Sequence, residues 1–158
     1  MSLATLGWVF TFGVLLHNLE EALYLPAWSS NAGRWYRPVA SNTFRTAIVI
    51  LSMILVTVTA FAATAEAGGT LAYIMAGYCL AMILNAVAPH LLLTIKLGRP
   101  MPGTLTAIAF NVPLGLYYLR QSLLRNHIHA QTFLWAGPLV TLTFLLLIPL
   151  LFAICKRL

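Results

Sequence analysis

The 158-residue sequence has very few charged side chains: three acidic and nine basic residues, 8% of the chain, against 61% hydrophobic residues. A soluble domain carries about 25% charged residues, so this chain lacks the polar surface that a soluble globular enzyme needs. Its two cysteines, Cys79 and Cys155, lie in separate apolar segments, which excludes a disulfide-rich module and a cysteine zinc site. The first 33 residues contain no Lys or Arg, so the basic start of a signal peptide is missing. The composition is typical of an integral membrane protein.

The positive charges do not indicate nucleic-acid binding. The net charge is +6, but the nine cations are spread over loops and segment ends, with no basic run and no nucleic-acid motif. Lys and Arg that flank apolar segments are typical of the cytoplasmic side of a membrane protein. We therefore expect membrane lipid as the surrounding partner and no nucleic acid.

Five apolar segments are long enough to cross a bilayer, which takes about 20 helical residues. Pro26 is expected to end the first segment, and the third contains Pro89. Most connections are short, with residues 26–45 as the exception, which predicts an all-α fold: one membrane domain, residues 1–158, folded as a bundle of five transmembrane helices. The predicted helices cover about 3–25, 46–65, 70–95, 103–119 and 132–154.

The distribution of Lys and Arg predicts the orientation of the bundle. Five spans place the termini on opposite sides, and the side with more Lys and Arg is the cytoplasmic one. We therefore expect the N-terminus outside and the C-terminus in the cytoplasm, in a multi-pass protein of the cell membrane. Arg120 and Arg125 fall on the outer side, and seven cations fall on the inner side: Arg34, Arg37, Arg45, Lys96, Arg99, Lys156 and Arg157.

The first segment contains the sequence His17-Asn18-Leu19-Glu20-Glu21. Ionisable residues inside a membrane span cost several kcal/mol and usually serve a function. Positions i, i+3 and i+4 share one helical face, so His17 and both carboxylates are expected to address one point. Tyr24 continues this stripe towards the cytoplasmic end and is a candidate substrate-binding residue.

The third segment offers Asn85 and His90 on either side of Pro89. Pro89 cannot donate to the carbonyl of Asn85, so a kink there frees a polar group, which is tolerated where it lines an enclosed cavity. At about 1.5 Å per residue, Asn85, His90 and the first-segment residues lie at similar depths below the cytoplasmic face. Asn111 and Arg45 fall in the same layer and complete the candidate site as substrate-binding residues.

Simpler interpretations exist for each of these residues. Glu20 and Glu21 can lie at headgroup level, where Arg45 or Arg99 would neutralise them. His90 can be an interfacial histidine bonded to a carbonyl, and buried Asn residues often join membrane helices through hydrogen bonds. Arg45 and Arg99 are more often anchors on the positive side than site residues.

The residues His17-Asn18-Leu19-Glu20-Glu21, at the end of a first membrane helix, resemble the small membrane proteins that are named for a His-x-x-Glu-Glu motif. The helix with Asn85 and His90, and the turn at residues 102–103, are compatible with that family. The resemblance covers most of the chain. It implies that His17, Glu20 and Glu21 are key positions, and it supplies no reaction because the family's function is largely unknown.

The favoured hypothesis is an intramembrane enzyme that isomerises, cyclises, hydrates or hydrolyses a lipid, isoprenoid or polyketide-like molecule. His17, Glu20, Glu21 and His90, with Asn85 orienting a substrate or water, would work by acid–base chemistry. The same four residues could instead hold one Zn²⁺ or Fe²⁺ ion. The alternative is a proton-coupled transporter or channel that uses the same cluster, since His and Glu also form proton relays. A weaker third hypothesis is an accessory subunit, and assembly into a homo-oligomer stays open.

Overall fold

The computed structural model describes residues 1–156 and is helical throughout, with no β-strand in that range. Arg157, one of the seven cations assigned to the inner side, lies outside the described residues. The all-α prediction is confirmed. The five helices are α1 (Leu3–Ser29), α2 (Ser41–Ala62), α3 (Thr70–Leu97), α4 (104–124) and α5 (Ala130–Cys155), and a short 3₁₀ turn, Gly33–Trp35, joins α1 to α2.

Three of these helices, α2, α3 and α5, are long and apolar enough to cross a membrane. The other two are more polar, because α1 carries the His17–Glu21 sequence and α4 carries Asn111, Arg120 and Gln121. Large apolar side chains lie on the outside of the bundle, among them Met53, which is 65% exposed, and Leu134, which is 77% exposed. A surface of this kind is typical of helices that face lipid.

The prediction that α1 ends at Pro26 is wrong, because the helix continues to Ser29. Proline removes the hydrogen bond to the carbonyl four residues back, here that of Ala22. The side chain of Arg45 supplies the missing donor: its Nε lies 3.1 Å from the Ala22 oxygen. Arg45 therefore stabilises the end of α1, where the sequence alone indicated a break.

Two other helices extend beyond their predicted apolar segments. The start of α2 lies at Ser41, five residues before the expected one, and α4 continues past residue 119 to Leu124. Both extensions are polar, with Ser41-Asn42-Thr43 in α2 and Arg120-Gln121 in α4. Hydropathy marks the part of a helix that lipid surrounds, whereas backbone hydrogen bonding continues beyond it.

The predicted kink in α3 is confirmed. The backbone leaves the helical conformation at Ala88, with φ −131° and ψ 115°, inside a widened turn that spans Ala86–Leu91. A second widened turn, Ala107–Asn111, lies in α4 just before Pro113. The first widened turn contains Pro89 and the second lies just before Pro113; neither proline can donate to the preceding turn.

The two ends of the bundle differ in charge. At one end Arg45 contacts Ala22, a guanidinium nitrogen of Arg99 donates to the carbonyl of Asn31, and Lys96 Nζ lies 3.4 Å from the centre of the Trp35 ring. At the other end Arg125 donates to the carbonyl of Met1 at 3.2 Å. Arg45, Lys96 and Arg99 thus lie at one end of the bundle and Arg125 at the other.

Candidate active site

His17 lies at the centre of a buried polar cluster and is fully enclosed. Its Nδ1 lies 2.9 Å from the carbonyl oxygen of Gly103, which can only accept a hydrogen bond, so Nδ1 carries a proton. This leaves Nε2 of the neutral ring with a free lone pair. The Nδ2 of Asn85 lies 3.4 Å from Nε2, on the side that faces α3.

Glu21 lies between the two buried histidines. Its carboxylate is 3.2 Å from Nε2 of His90 and 3.8 Å from Nε2 of His17. The two imidazole rings are 4.8 Å apart, edge to face. His17 lies one turn before Glu21 on α1 and contacts its carboxylate from there. The kink of α3 thus brings His90 to the same carboxylate.

Glu20 contacts a different group, so the expectation that both carboxylates address one point is wrong. Its Oε2 accepts a hydrogen bond from Thr106 Oγ1 at 2.7 Å. Successive helical residues point about 100° apart, and Glu20 and Glu21 therefore face different neighbours. Thr106 Oγ1 also lies 3.3 Å from Nδ1 of His17, which connects Glu20 to the cluster indirectly.

The turn between α3 and α4 closes the site. Gly103 has a positive φ of 91°, and a Cβ there would lie 2.7 Å from Cε1 of His90, 2.8 Å from Cε1 of His17 and 3.0 Å from Cγ of Glu21. Thr94 fixes this turn, because its Oγ1 accepts from the backbone N–H of Met101 at 2.9 Å. Only glycine fits a position where the backbone runs this close to three site side chains.

The cluster lies in the lining of a cavity of about 250 Å³, here called the chamber. The chamber lies between α1, α2, α3 and α5, and its lining on α2 runs from Phe44 to Leu55, about 16 Å along the helix. Most of the lining is apolar, which suits a hydrophobic molecule. The polar lining consists of His17, Asn18, Glu21, Tyr36, Asn85 and His90.

Sequence reasoning missed Gly103, Thr106 and Tyr36 as site residues. Burial, followed by the charge of Glu21, raises the pKa of Tyr36 to about 12, so its phenol is protonated at neutral pH and can donate a hydrogen bond into the chamber. The Pro-Met-Pro-Gly sequence of residues 100–103 indicated a rigid turn, but no sequence pattern pointed to what that turn contacts.

The structure does not bring Tyr24, Arg45 or Asn111 into the chamber lining. Tyr24 is 60% exposed, because the face of α1 on which it lies is uncovered at that level. Arg45 is held on the Ala22 carbonyl. In residues 1–156, neither Arg45 nor Arg99 forms an ion pair with Glu20 or Glu21, so these arginines do not neutralise the motif carboxylates there.

Asn111 is fully buried, and neither polar atom of its amide finds a hydrogen-bond partner in the described part of the chain. A buried, unpaired amide costs about 1–3 kcal/mol. We expect Asn111→Ala to leave the free energy of unfolding almost unchanged, because the removal of two unpaired groups offsets the cavity that the loss of three heavy atoms creates.

The matched control is Asn18→Ala, since the Nδ2 of Asn18 donates to Ser52 Oγ at 2.9 Å. Losing that hydrogen bond should lower the free energy of unfolding by about 1 kcal/mol. Thermal unfolding in detergent measures both variants. Equal destabilisation of the two would show that the amide of Asn111 is not unpaired in solution.

His17, Glu21 and His90 are the residues that can hold a metal ion. Each offers one ligand atom, and these atoms all lie within 4.8 Å of one another, whereas Glu20 lies outside the group. Two histidines and one carboxylate, with open positions left, are typical ligands of catalytic Zn²⁺ and of non-haem Fe²⁺. A ligating histidine usually donates its other ring N–H to a carbonyl or carboxylate, as His17 does to Gly103.

Comparison with known proteins identifies the family to which this chain belongs. Residues 8–118 match a family described as "Protein of unknown function with HXXEE motif". The chain is 34% identical over 146 residues to "Uncharacterized protein YrkK" of Bacillus subtilis (strain 168), an alignment that covers 92% of both chains. No solved structure matches. The chain belongs to the HXXEE family, and the motif residues are His17, Glu20 and Glu21.

Proposed function

We propose that this protein is an intramembrane enzyme that acts on a hydrophobic small molecule in the chamber, with one divalent metal ion held by His17, Glu21 and His90. The observation that carries the proposal is the convergence of three ligand atoms within 4.8 Å in the lining of a largely apolar cavity. Zn²⁺ or Fe²⁺ suits this donor set. The ion's open position would accept a substrate oxygen or a water molecule.

The proposed topology places the reaction beneath the inner leaflet. All five helices span the cell membrane, with the N-terminus outside and the C-terminus in the cytoplasm. The support is the cationic end of the bundle, because Lys and Arg collect on the cytoplasmic side. On this topology the chamber opens to molecules that dissolve in lipid, such as isoprenoids or polyketide-like compounds.

The chain's own residues would position the substrate and move protons. Tyr36 and Asn85 are hydrogen-bond donors in the lining, and the Nδ1 of His90 has no partner among the described residues, so it is free to bond a substrate. Glu20 lies on the Nδ1 side of His17, and Thr106 Oγ1 connects the two side chains. Isomerisation, cyclisation, hydration and hydrolysis need proton transfer and water but no electron acceptor, so this set of groups suffices for them.

The metal content of detergent-purified protein tests the centre. We expect about one Zn²⁺ or Fe²⁺ per chain, measured by elemental mass spectrometry, and at least a tenfold loss in Glu21→Gln, which removes a ligand. Glu20→Gln is the matched control: it changes the neighbouring carboxylate in the same way and should retain the ion. If the wild-type protein contains no stoichiometric metal, the metal centre is excluded, and metal-free acid–base chemistry by His17, Glu21 and His90 becomes the remaining form of the proposal.

Comparison of lipid extracts tests the enzyme itself. In cells that produce the wild type, we expect depletion of a hydrophobic compound and gain of a product. The product has the same mass after isomerisation or cyclisation and the mass of one added water after hydration, whereas hydrolysis gives two products whose masses sum to the substrate plus one water. Glu21→Gln should abolish the change. Proteoliposomes test the alternative of transport: a proton flux that requires Glu21, with no product formed, would establish a transporter instead.

A further inference from the structure

A second apolar cavity lies on the outside of the bundle, between α1 and α2. Its volume is about 490 Å³, and it is here called the groove. No charged residue lines it, and its outer edge is exposed: Leu19 is 53%, Val49 58% and Met53 65% exposed. The groove therefore presents an apolar surface to the lipid around the protein.

The groove and the chamber share two lining residues, Asn18 of α1 and Ile48 of α2. Both residues are buried, with 3% and 8% exposure. At this point the wall between the two cavities is therefore one side chain thick. The hydrogen bond from Asn18 to Ser52 Oγ, 2.9 Å long, joins the two helices across this wall.

The wall adjoins the proposed metal ligands. Asn18 follows His17 directly and precedes Glu21 by three residues, and all three line the chamber. A molecule that passes between Asn18 and Ile48 would arrive beside the proposed metal ligands without crossing water. Alkyl chains can make this passage because both cavities are predominantly apolar.

We propose that the groove is the substrate entrance: an uncharged alkyl chain dissolved in the bilayer docks between α1 and α2 and enters the chamber when the Asn18–Ser52 hydrogen bond opens. This inference rests on the proposed function, since it assigns the route by which that enzyme's substrate arrives. It narrows the substrate class to uncharged lipophilic molecules that partition into the membrane, because no charged residue lines the groove.

Photolabelling in liposomes tests the entrance. The probe is a long-chain fatty alcohol that carries a diazirine and is dissolved in the lipid, and mass spectrometry follows adducts on groove residues Val49 and Met53 and on chamber residues Phe44 and Leu55. Ser52→Ala removes the hydrogen bond that joins α1 to α2. We expect it to raise chamber labelling about fivefold and to leave groove labelling unchanged.

Thr57→Ala is the matched control. Thr57 also lines the groove, but its hydroxyl donates to Met53 O within α2, so its loss should change neither labelling rate. Chamber labelling that does not respond to Ser52→Ala, or that occurs equally with a water-soluble diazirine, would overturn the proposed entrance. Labelling needs neither metal nor turnover, and a Ser52-dependent response in Glu21→Gln protein would support the entrance even if the proposed enzyme fails.

Discussion

Gly103→Ala is expected to eliminate metal binding and turnover. The added Cβ would lie within 3.0 Å of atoms of His90, His17 and Glu21, so all three side chains must move. The positive φ of 91° adds strain of about 1–2 kcal/mol, because a Cβ is disfavoured in the left-handed region. Together with overpacking, the substitution should lower the free energy of unfolding by about 3 kcal/mol.

Gly98→Ala separates these effects. Gly98 also has a positive φ, of 61°, but a Cβ there meets nothing within 4 Å. The free energy of unfolding of this control should fall only by the cost of the backbone strain, about 1 kcal/mol, and the control should keep its metal. Elemental analysis and thermal unfolding of both variants measure the difference. If the two variants bind metal equally, the close approach of Gly103 to the cluster does not exist in the folded protein.

The second large effect is expected at Gly77, where α3 packs against α5. A Cβ on Gly77 would lie 2.6 Å from Cγ1 of Val140, and the Oγ1 of Thr141 donates to the Gly77 carbonyl at 3.3 Å. The helices cannot separate freely, so Gly77→Ala should lower the free energy of unfolding by about 2 kcal/mol. Small residues permit such close approach between membrane helices.

Val140→Ala tests whether contact with Val140 causes the loss of stability in Gly77→Ala. The double variant Gly77→Ala/Val140→Ala should recover part of the lost stability, which a double-mutant cycle of thermal unfolding measures as a coupling energy of about 1 kcal/mol. Gly7→Ala is a tolerated reference, because its Cβ would lie 3.4 Å from the flexible end of Met75. Additive losses in the cycle would mean that Val140 does not oppose the new methyl group.

The kink of α3 could be predicted, but its consequence could not. Pro89 lacks an N–H, which predicts a break in the hydrogen bonding at Asn85. The direction in which the break turns His90 depends on the widened turn, Ala86–Leu91, and on the neighbouring helices. The contact of His90 with Glu21 is therefore a property of the packed bundle.

At Arg45 the sequence-based prediction itself was wrong, because the rule that proline ends a helix considers only neighbouring residues. Proline ends most helices, and α1 continues through Pro26 because a side chain from α2 donates to the free carbonyl of Ala22. No pattern within α1 contains that information, since the donor lies 23 residues away.

Composition and spacing by themselves determined that the chain is helical and apolar, and that His17, Glu20 and Glu21 belong to one polar stretch of the first helix. These properties follow from the hydropathy of single residues and from the helical repeat, which are local. Only the tertiary structure decided that Glu21 joins His90 while Glu20 turns to Thr106, and that Gly103 closes the cluster. Such contacts depend on the relative rotation and bending of packed helices, to which every helix in the bundle contributes.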